Sequence, residues 1–365
     1  MDEKIRPIHF TAPDGEVLEL HRPAFLVGNG INYADGCKFS WKELLISILP
    51  EDMQNNSQKD SDTNLLFKFD NASSSVQINL SISGKQQNGY KYEFSNLTYP
   101  EIAELALLKR SPQEYDKESK PYFMSKVVEK IKNHIENTSL SQKHENLARF
   151  AKEHWIPILT TNFDRNFLKT SCFDGKDLDS IDLYWNKIDT NIKSNDYRTL
   201  KNACFRPESL PEIKDIHSEF AIWHIHGVIG KKSYPLCLTN WDYFNFCAEI
   251  KKISKGKKYD DHKKDATWVD ILLDNDLIIM GLELGSQETD LRAFLAERNI
   301  RHKVDKQIKS KSKEIWDKPK TIYIYRQEAA ETEMPADKKA FFESLGIKCV
   351  PMAQDDIYEI EKYIK

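Results

Sequence analysis

The segment from Phe25 to Ser40, FLVGNGINYADGCKFS, decides the fold. Phe25, Leu26 and Val27 form a short apolar run, and Gly28, Asn29 and Gly30 follow at once. A polar loop then leads to Ser40-Trp41-Lys42-Glu43, which has the spacing of a capping box. The reading is strand, glycine turn, loop and capped helix over about 40–49. A buried strand that ends in glycines lets its backbone approach a phosphate, and free amides there supply donors. An ordinary strand-to-helix turn has the same pattern, and by itself the segment favours that plainer reading. It also departs from the dinucleotide fingerprint, because Tyr33 stands where the third glycine belongs.

Composition bounds what surrounds this unit. The chain has 365 residues, a formal net charge of -4, 40% hydrophobic and 30% charged residues. That suits a globular protein with one large core and a smaller lobe. No apolar run approaches the roughly 20 residues that cross a bilayer, and MDEKIRPIHF at the start is charged, so a cytoplasmic protein with no membrane contact is expected. Cysteines at 37, 172, 204, 237, 247 and 349 form no C-x-x-C pair, so neither a zinc ribbon nor a disulfide framework is expected, and no metal. A slightly acidic chain is a poor candidate for coating nucleic acid.

Outward from the glycine turn, residues 7–22 read as a hairpin, with Ile8 and Phe10 facing Leu18 and Leu20 across Pro13-Asp14-Gly15. From Pro50 to Tyr99 the composition turns polar, with alternating scraps at 65–69, 76–82 and 90–94. Helices are expected near Pro100, at Ser111-Pro112-Gln113-Glu114, and over 141–154. Phe123, Val127, Val128, Ile131 and Ile135 make an apolar stripe at helical spacing, through which a homo-oligomer could form. The block 50–154 reads as an inserted, mostly helical lobe, and 1–49 with 155–365 as the main domain.

The main domain alternates strands and helices. Strands are expected at 156–159, 220–226, 277–280, 321–325 and 347–351, with helices from Thr239, over 266–274, 288–299 and 336–345, and over 355–364. This implies a parallel sheet covered on both faces, an α/β class. Ligands of such sheets bind beyond the carboxyl ends of the strands. The glycine turn, Asn162 with Asp164, His226 with Gly227, and Gly281 with Glu283 each stand at or just after a strand end. His224 and His226, two residues apart, are expected on one strand face.

Taken in order, GNGIN at 28–32, TTNFD at 160–164, HIHG at 224–227 and LIIMGLELGSQETDLRAFL at 277–295 resemble the bacterial sirtuin-like NAD-binding family. The zinc-binding cysteine quartet of protein deacylases is absent, and Glu283 replaces the serine of the later Gly-x-Ser motif. In its lack of zinc and its inserted lobe the chain is similar to the defence-associated members that hydrolyse NAD during phage infection. Some of these work with a HerA-type ATPase or another partner. The resemblance implies a Rossmann-type sheet and NAD as substrate. It implies that Asn162 positions ribose or water and that His226 is the base. It places Gly28, Asn29, Gly30, Asn32, Thr161, Asp164, Gly227, Gly281 and Glu283 around the nucleotide, with Asp164 on the carboxamide.

Each assignment has a plain structural counterpart. Thr161 and Asp164 could cap a helix, which would make Asn162 a helix-start residue. Asp164 could be a helix N-terminal acid, His224 a core histidine and Glu283 a solvated loop acid. The lysine clusters at 251–264 and 301–320 read as solvated loops, with acids interleaved and few aromatics, against direct nucleic-acid contact. Three classes stay open at this level: an NAD-consuming hydrolase, a non-catalytic nucleotide-binding scaffold, and a nucleic-acid-acting subunit of a defence complex.

Overall fold

The computed structural model describes residues 7–34, 65–70, 75–82, 85–86, 90–93, 98–101, 103–104, 129, 142–173, 204–207, 215–229, 236–256, 267–285, 288–309, 319–327, 334–353 and 355–365. The chain divides into two compact units. One comprises residues 1–37, 139–237 and 245–365, and the other residues 38–138 and 238–244.

In the first unit, β1 (Ile8–Thr11) and β2 (Val17–Leu20) form the expected hairpin, with Ile8 opposite Leu20 and Phe10 opposite Leu18. Gly15 turns it at φ +86°, a left-handed conformation open to glycine. Next come β3 (Pro23–Val27), buried along its whole length, and the short helix α1 (Gly30–Ala34). The second unit holds β4 (Leu65–Asp70), β5 (Ser75–Ile82), β6 (Lys85–Gln86) and β7 (Tyr90–Glu93), a four-stranded antiparallel sheet. The alternating scraps of the polar excursion are therefore strands that pair with one another. Thr98 and Glu101 exchange capping bonds where the helix near Pro100 begins. The expected capping box at Ser40–Glu43, the helix from Ser111 and the stripe Phe123, Val127, Val128, Ile131 and Ile135 lie outside the described residues.

The first unit continues with α2 (Gln142–Glu153), β8 (Ile158–Thr160), β9 (Cys204–Phe205) and β10 (Ile222–His224). Helix α3 (Asn240–Gly256) opens with Thr239 and Asp242 capping each other. Then follow α4 (Trp268–Asp274), β11 (Asp276–Met280), α5 (Thr289–Lys309), β12 (Thr321–Arg326), α6 (Ala336–Ser344) and β13 (Ile347–Met352).

Seven strands make one sheet, in the order β13-β12-β11-β3-β8-β10-β9. All neighbours run parallel except β9, which pairs antiparallel with β10 at the edge. Numbered by appearance in the chain and leaving out that edge strand, the order is the 3-2-1-4-5-6 of a doubly wound Rossmann-like sheet. β3 and β11 are its centre. Both are buried at every position and, Asp276 apart, read as continuous apolar runs, as strands covered on both faces do. One buried cluster lines a single face of the sheet, where Phe25, Val27, Ile278 and Met280 pack towards α2, and Phe25 meets Phe150 of α2 at 6.3 Å between ring centroids.

The chain leaves β3 and goes to one side, then returns through β11 on the other. The switch point lies between these two strands, and their turns meet there. Gly28 N donates to Met280 O at 3.0 Å and Gly30 N to Gly281 O at 2.9 Å. A Cβ on Gly30 would stand 2.6 Å from Gly281 Cα and 2.8 Å from the Tyr358 hydroxyl. Glycine is required here because one backbone lies on another. The Gly28 and Gly30 amides, expected to be free donors for a phosphate, are engaged within the chain. Gly30→Ala should therefore cost about 1–3 kcal/mol, read as a lowered midpoint in chemical denaturation. Tyr358→Phe should not rescue it, because Gly281 is backbone and stays in the way.

Two other expectations change. The last segment is not the helix expected over 355–364. It forms turns and a short 3-10 helix at Ile360–Lys362. The reason is edge pairing: His9 and Lys365 exchange backbone bonds at 3.0 Å, and Thr11 N donates to Tyr363 O. A chain pairing with the edge of β1 cannot also continue a helix. The lysine clusters are helical in part, because α3 runs to Gly256 and α5 to Lys309.

Candidate functional site

The predicted residues gather at the carboxyl ends of β3, β8, β10 and β11, the four central strands of the sheet. What joins them is a set of buried hydrogen bonds between residues more than 60 positions apart in sequence.

One set links the turns after β3 and β8. Asn162 follows β8 and is almost wholly buried. Its Nδ2 donates to Gly28 O at 3.3 Å, and its backbone N donates to Thr160 Oγ1 at 3.1 Å. Its Oδ1 has no partner among the described residues, which leaves a buried acceptor to be satisfied. Thr161 ties the same turn to β3 through its amide, which donates to Val27 O at 3.2 Å, while its side chain is partly exposed. Asp164 is buried and takes donors on both oxygens. Asn32 Nδ2 reaches Oδ2 at 2.8 Å, and Asn166 N reaches Oδ1 at 2.9 Å. Asn32 Nδ2 also lies 2.8 Å from Asn29 Oδ1, and Asn166 Nδ2 donates to Asn32 Oδ1 at 3.1 Å. Asn29, Asn32, Asp164 and Asn166 thus form one amide–carboxylate network that holds two strand-end loops together.

Thr161 and Asp164 do not cap the 3-10 helix Asn166–Lys169: its N-cap is Arg165, without a side-chain capping bond, and Asp164 stands one residue earlier, where it accepts from the amide two residues on. Asn162 stands before that helix and turns its amide towards Gly28 instead.

His224 and His226 do not share a strand face. β10 ends at His224, and His226 lies in the turn beyond it. His224 is fully buried, and its Nδ1 bonds the Asn162 carbonyl at 2.8 Å. A carbonyl only accepts, so Nδ1 carries the proton. Burial pushes this imidazole down to about 4, against weaker upward pulls from the Asn162 bond and the charge of Asp164. His224 is the neutral core histidine, and it orients the Asn162 backbone. His226 is also buried, and its Nε2 lies 2.8 Å from Asp290 Oδ2 in the first turn of α5. Gly227 closes the turn at φ +96°, with its amide donating to His224 O at 3.1 Å. Few residues other than glycine adopt that φ, which explains why glycine follows His226.

At the β11 end, Gly281 (φ +68°) lies against Gly28 and Gly30. Glu283 is not drawn in: its side chain is exposed, and its carbonyl takes Lys338 Nζ at 2.8 Å and Tyr323 Oη at 3.1 Å. The solvated-acid reading holds for that carboxylate. Among the described residues no group of histidine, cysteine and acidic side chains could hold a metal ion, and no helix is long and apolar enough to cross a membrane.

Two residues escaped the reading of the sequence. Asn166 stands two positions after Asp164 and looks like part of a polar loop. Asp290 looks like any acid in a first helical turn. No local signal marks it, because its partner lies 64 residues away.

Two buried rings set an acid limit on stability. Burial also pushes His144 of α2 down to about 4, Asp164 opposing and Lys169 adding to the effect. Each ring stays neutral in the folded chain but titrates near 6.5 once unfolded. The unfolded chain therefore binds more protons between pH 4 and 6.5, and stability rises with pH across that window. The contribution is complete above 6.5 and is lost towards pH 4, at up to about 3 kcal/mol per ring. His224→Asn keeps a donor for the Asn162 carbonyl and cannot titrate. Its melting temperature should fall less than the parent's between pH 7 and 4.5, and equal falls would remove His224 from this account.

A comparison with protein-family models and one with curated proteins each found no match to this chain.

Proposed function

We propose that the protein hydrolyses NAD at the nicotinamide–ribose bond, releasing nicotinamide and ADP-ribose. The observation that carries this reading is the place of Asn162 and His226. Both stand at carboxyl ends of central strands in a 3-2-1-4-5-6 sheet, where nucleotides bind in folds of this kind. Asn162 brings a buried side chain with an unsatisfied acceptor, and His226 brings an imidazole. The four motif blocks resemble those of sirtuin-like NAD-binding proteins in the same order.

The chemistry asks for little more. As the bond from C1′ to the pyridinium nitrogen breaks, its electron pair leaves with nicotinamide, and C1′ gains oxocarbenium character. Water attacks C1′, and its proton needs an acceptor, a role that falls to His226. Asn162 holds the ribose or the attacking water, so that the reaction proceeds from an oriented complex. Asp164 is first of all the hub of the loop network, and by the resemblance its carboxylate also accepts from the carboxamide. The glycine turns of β3 and β11 shape the crevice rather than donate to it. Biologically, the reading is an abortive-infection effector that depletes NAD. It acts in the cytoplasm as a homo-oligomer, gated by a partner such as a HerA-type ATPase.

The test is chromatography of NAD incubated with pure protein, alone and with the product of any neighbouring gene. Equimolar nicotinamide and ADP-ribose are expected. Intact NAD under both conditions, with a bound nucleotide detected by calorimetry, would favour the scaffold.

A further inference from the structure

We propose that Asp290 is a positioning residue that holds His226 in a single tautomer, with the proton on Nε2 and the basic lone pair on Nδ1. This rests on the hydrolase reading for its consequence, but its geometry stands apart from that reading. His226 Nε2 and Asp290 Oδ2 lie 2.8 Å apart, with side chains 5% and 1% exposed. Between a carboxylate and an imidazole at that distance, the ring nitrogen donates. In a neutral ring the other nitrogen then carries the lone pair, so the proton taken from water arrives at Nδ1.

Three features make the pair more than an incidental contact. First, Asp290 sits in the first turn of α5, a 21-residue helix, so its carboxylate is carried on a long regular element. Second, Asp290 Oδ1 is buried with no hydrogen-bond partner among the described residues, so the carboxylate leans on its bond to His226. Third, the imidazole is walled on one side by aromatic rings. Phe246 meets it edge-on at 5.7 Å, Trp268 stacks on Phe246 at 5.3 Å, and Phe294 meets both edge-on at 6.0 and 6.1 Å. A dry, apolar wall strengthens a charge-assisted hydrogen bond.

Among the described residues, Glu288, just before α5, and Cys247 of α3 are titratable groups that feel the charge of Asp290. Neither competes for the imidazole, since Glu288 accepts from Leu284 N and the Cys247 thiol is pushed up to about 11, mainly by burial. The backbone of His226 is fixed separately: Cys237 N donates to its carbonyl at 2.9 Å, and Gly227 turns the chain behind it. Backbone, aromatic wall and carboxylate together leave the ring one orientation.

The experiment uses the full chain labelled with 15N histidine. The His226 signals are assigned by their loss in His226→Gln. In the parent protein at neutral pH, Nε2 should show the shift of a protonated nitrogen and Nδ1 that of an unprotonated one. The reverse pattern in the parent overturns the proposal without any variant. Asp290→Asn keeps the shape but replaces an obligate acceptor with an amide that can also donate, so the tautomers should mix or invert at an unchanged melting temperature. With NAD, that variant should lose about 10²-fold or more in kcat with KM little changed, since the same substitution behind the serine-protease histidine costs about 10⁴. Unchanged tautomers in Asp290→Asn, or altered tautomers with parental kcat, overturn the positioning role. If the parent protein leaves NAD intact while Asp290→Asn still shifts the tautomer, the positioning stands and the hydrolase reading fails.

Discussion

Asn162→Ala and His226→Ala should each abolish NAD cleavage, by about 10²- to 10⁴-fold for loss of the base, while the protein stays folded. On the proposed hydrolase reading, the two losses should differ in kind. Removing Asn162 takes away the group that orients ribose or water, so kcat should fall with a change in KM as well. Removing His226 takes away the proton acceptor and should act on kcat alone. Asn162 also ties Gly28 to β8 through its Nδ2. Its removal should therefore cost about 1 kcal/mol of stability, the usual worth of one such bond. His224→Asn is the internal control, because His224 bonds the Asn162 carbonyl and is assigned no part in proton transfer. Variants at Asn162 and His226 that are folded and cleave NAD at the parental rate would falsify the site assignment.

Arg298→Met should be the most destabilising single change outside the site, at about 3–5 kcal/mol. The guanidinium is buried and donates to five acceptors: Leu272 O at 3.0 Å, Leu273 O at 2.7 Å, Asn275 O, Lys320 O at 3.0 Å and Thr321 Oγ1 at 3.1 Å. It thus joins the carboxyl end of α4 to the starts of β11 and β12. Burial pulls its pKa down to about 10, while Asp276 and Asp274 pull it back up, so it stays charged at neutral pH. Methionine fills the volume but withdraws every donor that Arg298 supplies, leaving Lys320 O with Leu277 N at 2.8 Å. Arg301→Ala, three residues on, removes a half-exposed pair with Glu297, itself worth at most about 0.5 kcal/mol, and should cost far less than Arg298→Met. The check is urea denaturation of both variants with the slope held constant. Because Arg298 acts at the amino ends of the strands, the NAD turnover of the remaining folded Arg298→Met protein should be unchanged.

Most of the sheet was legible in the sequence, for a physical reason. Strands buried on both faces are mostly apolar, so PAFLV and the LIIM of β11 announce themselves locally. Helix starts such as Thr239–Asp242 and Thr267–Asp270 announce themselves too, because a capping box is complete within four residues. The terminal segment misled because helical periodicity there is overruled by a partner more than 350 residues away, the edge of β1.

The sequence by itself determined the α/β class, the strand ends on which polar residues stand, and the glycines at the turns. These depend on neighbours in the chain. Tertiary structure alone decided which of those residues meet. It set the two glycine turns against each other and took up their amides. It divided the two histidines, giving one to the Asn162 carbonyl and the other to Asp290, and it left Glu283 in solvent. Each of these outcomes is a hydrogen bond or a burial between segments distant in sequence. Such pairings follow from strand order and register, which no local stretch of sequence encodes.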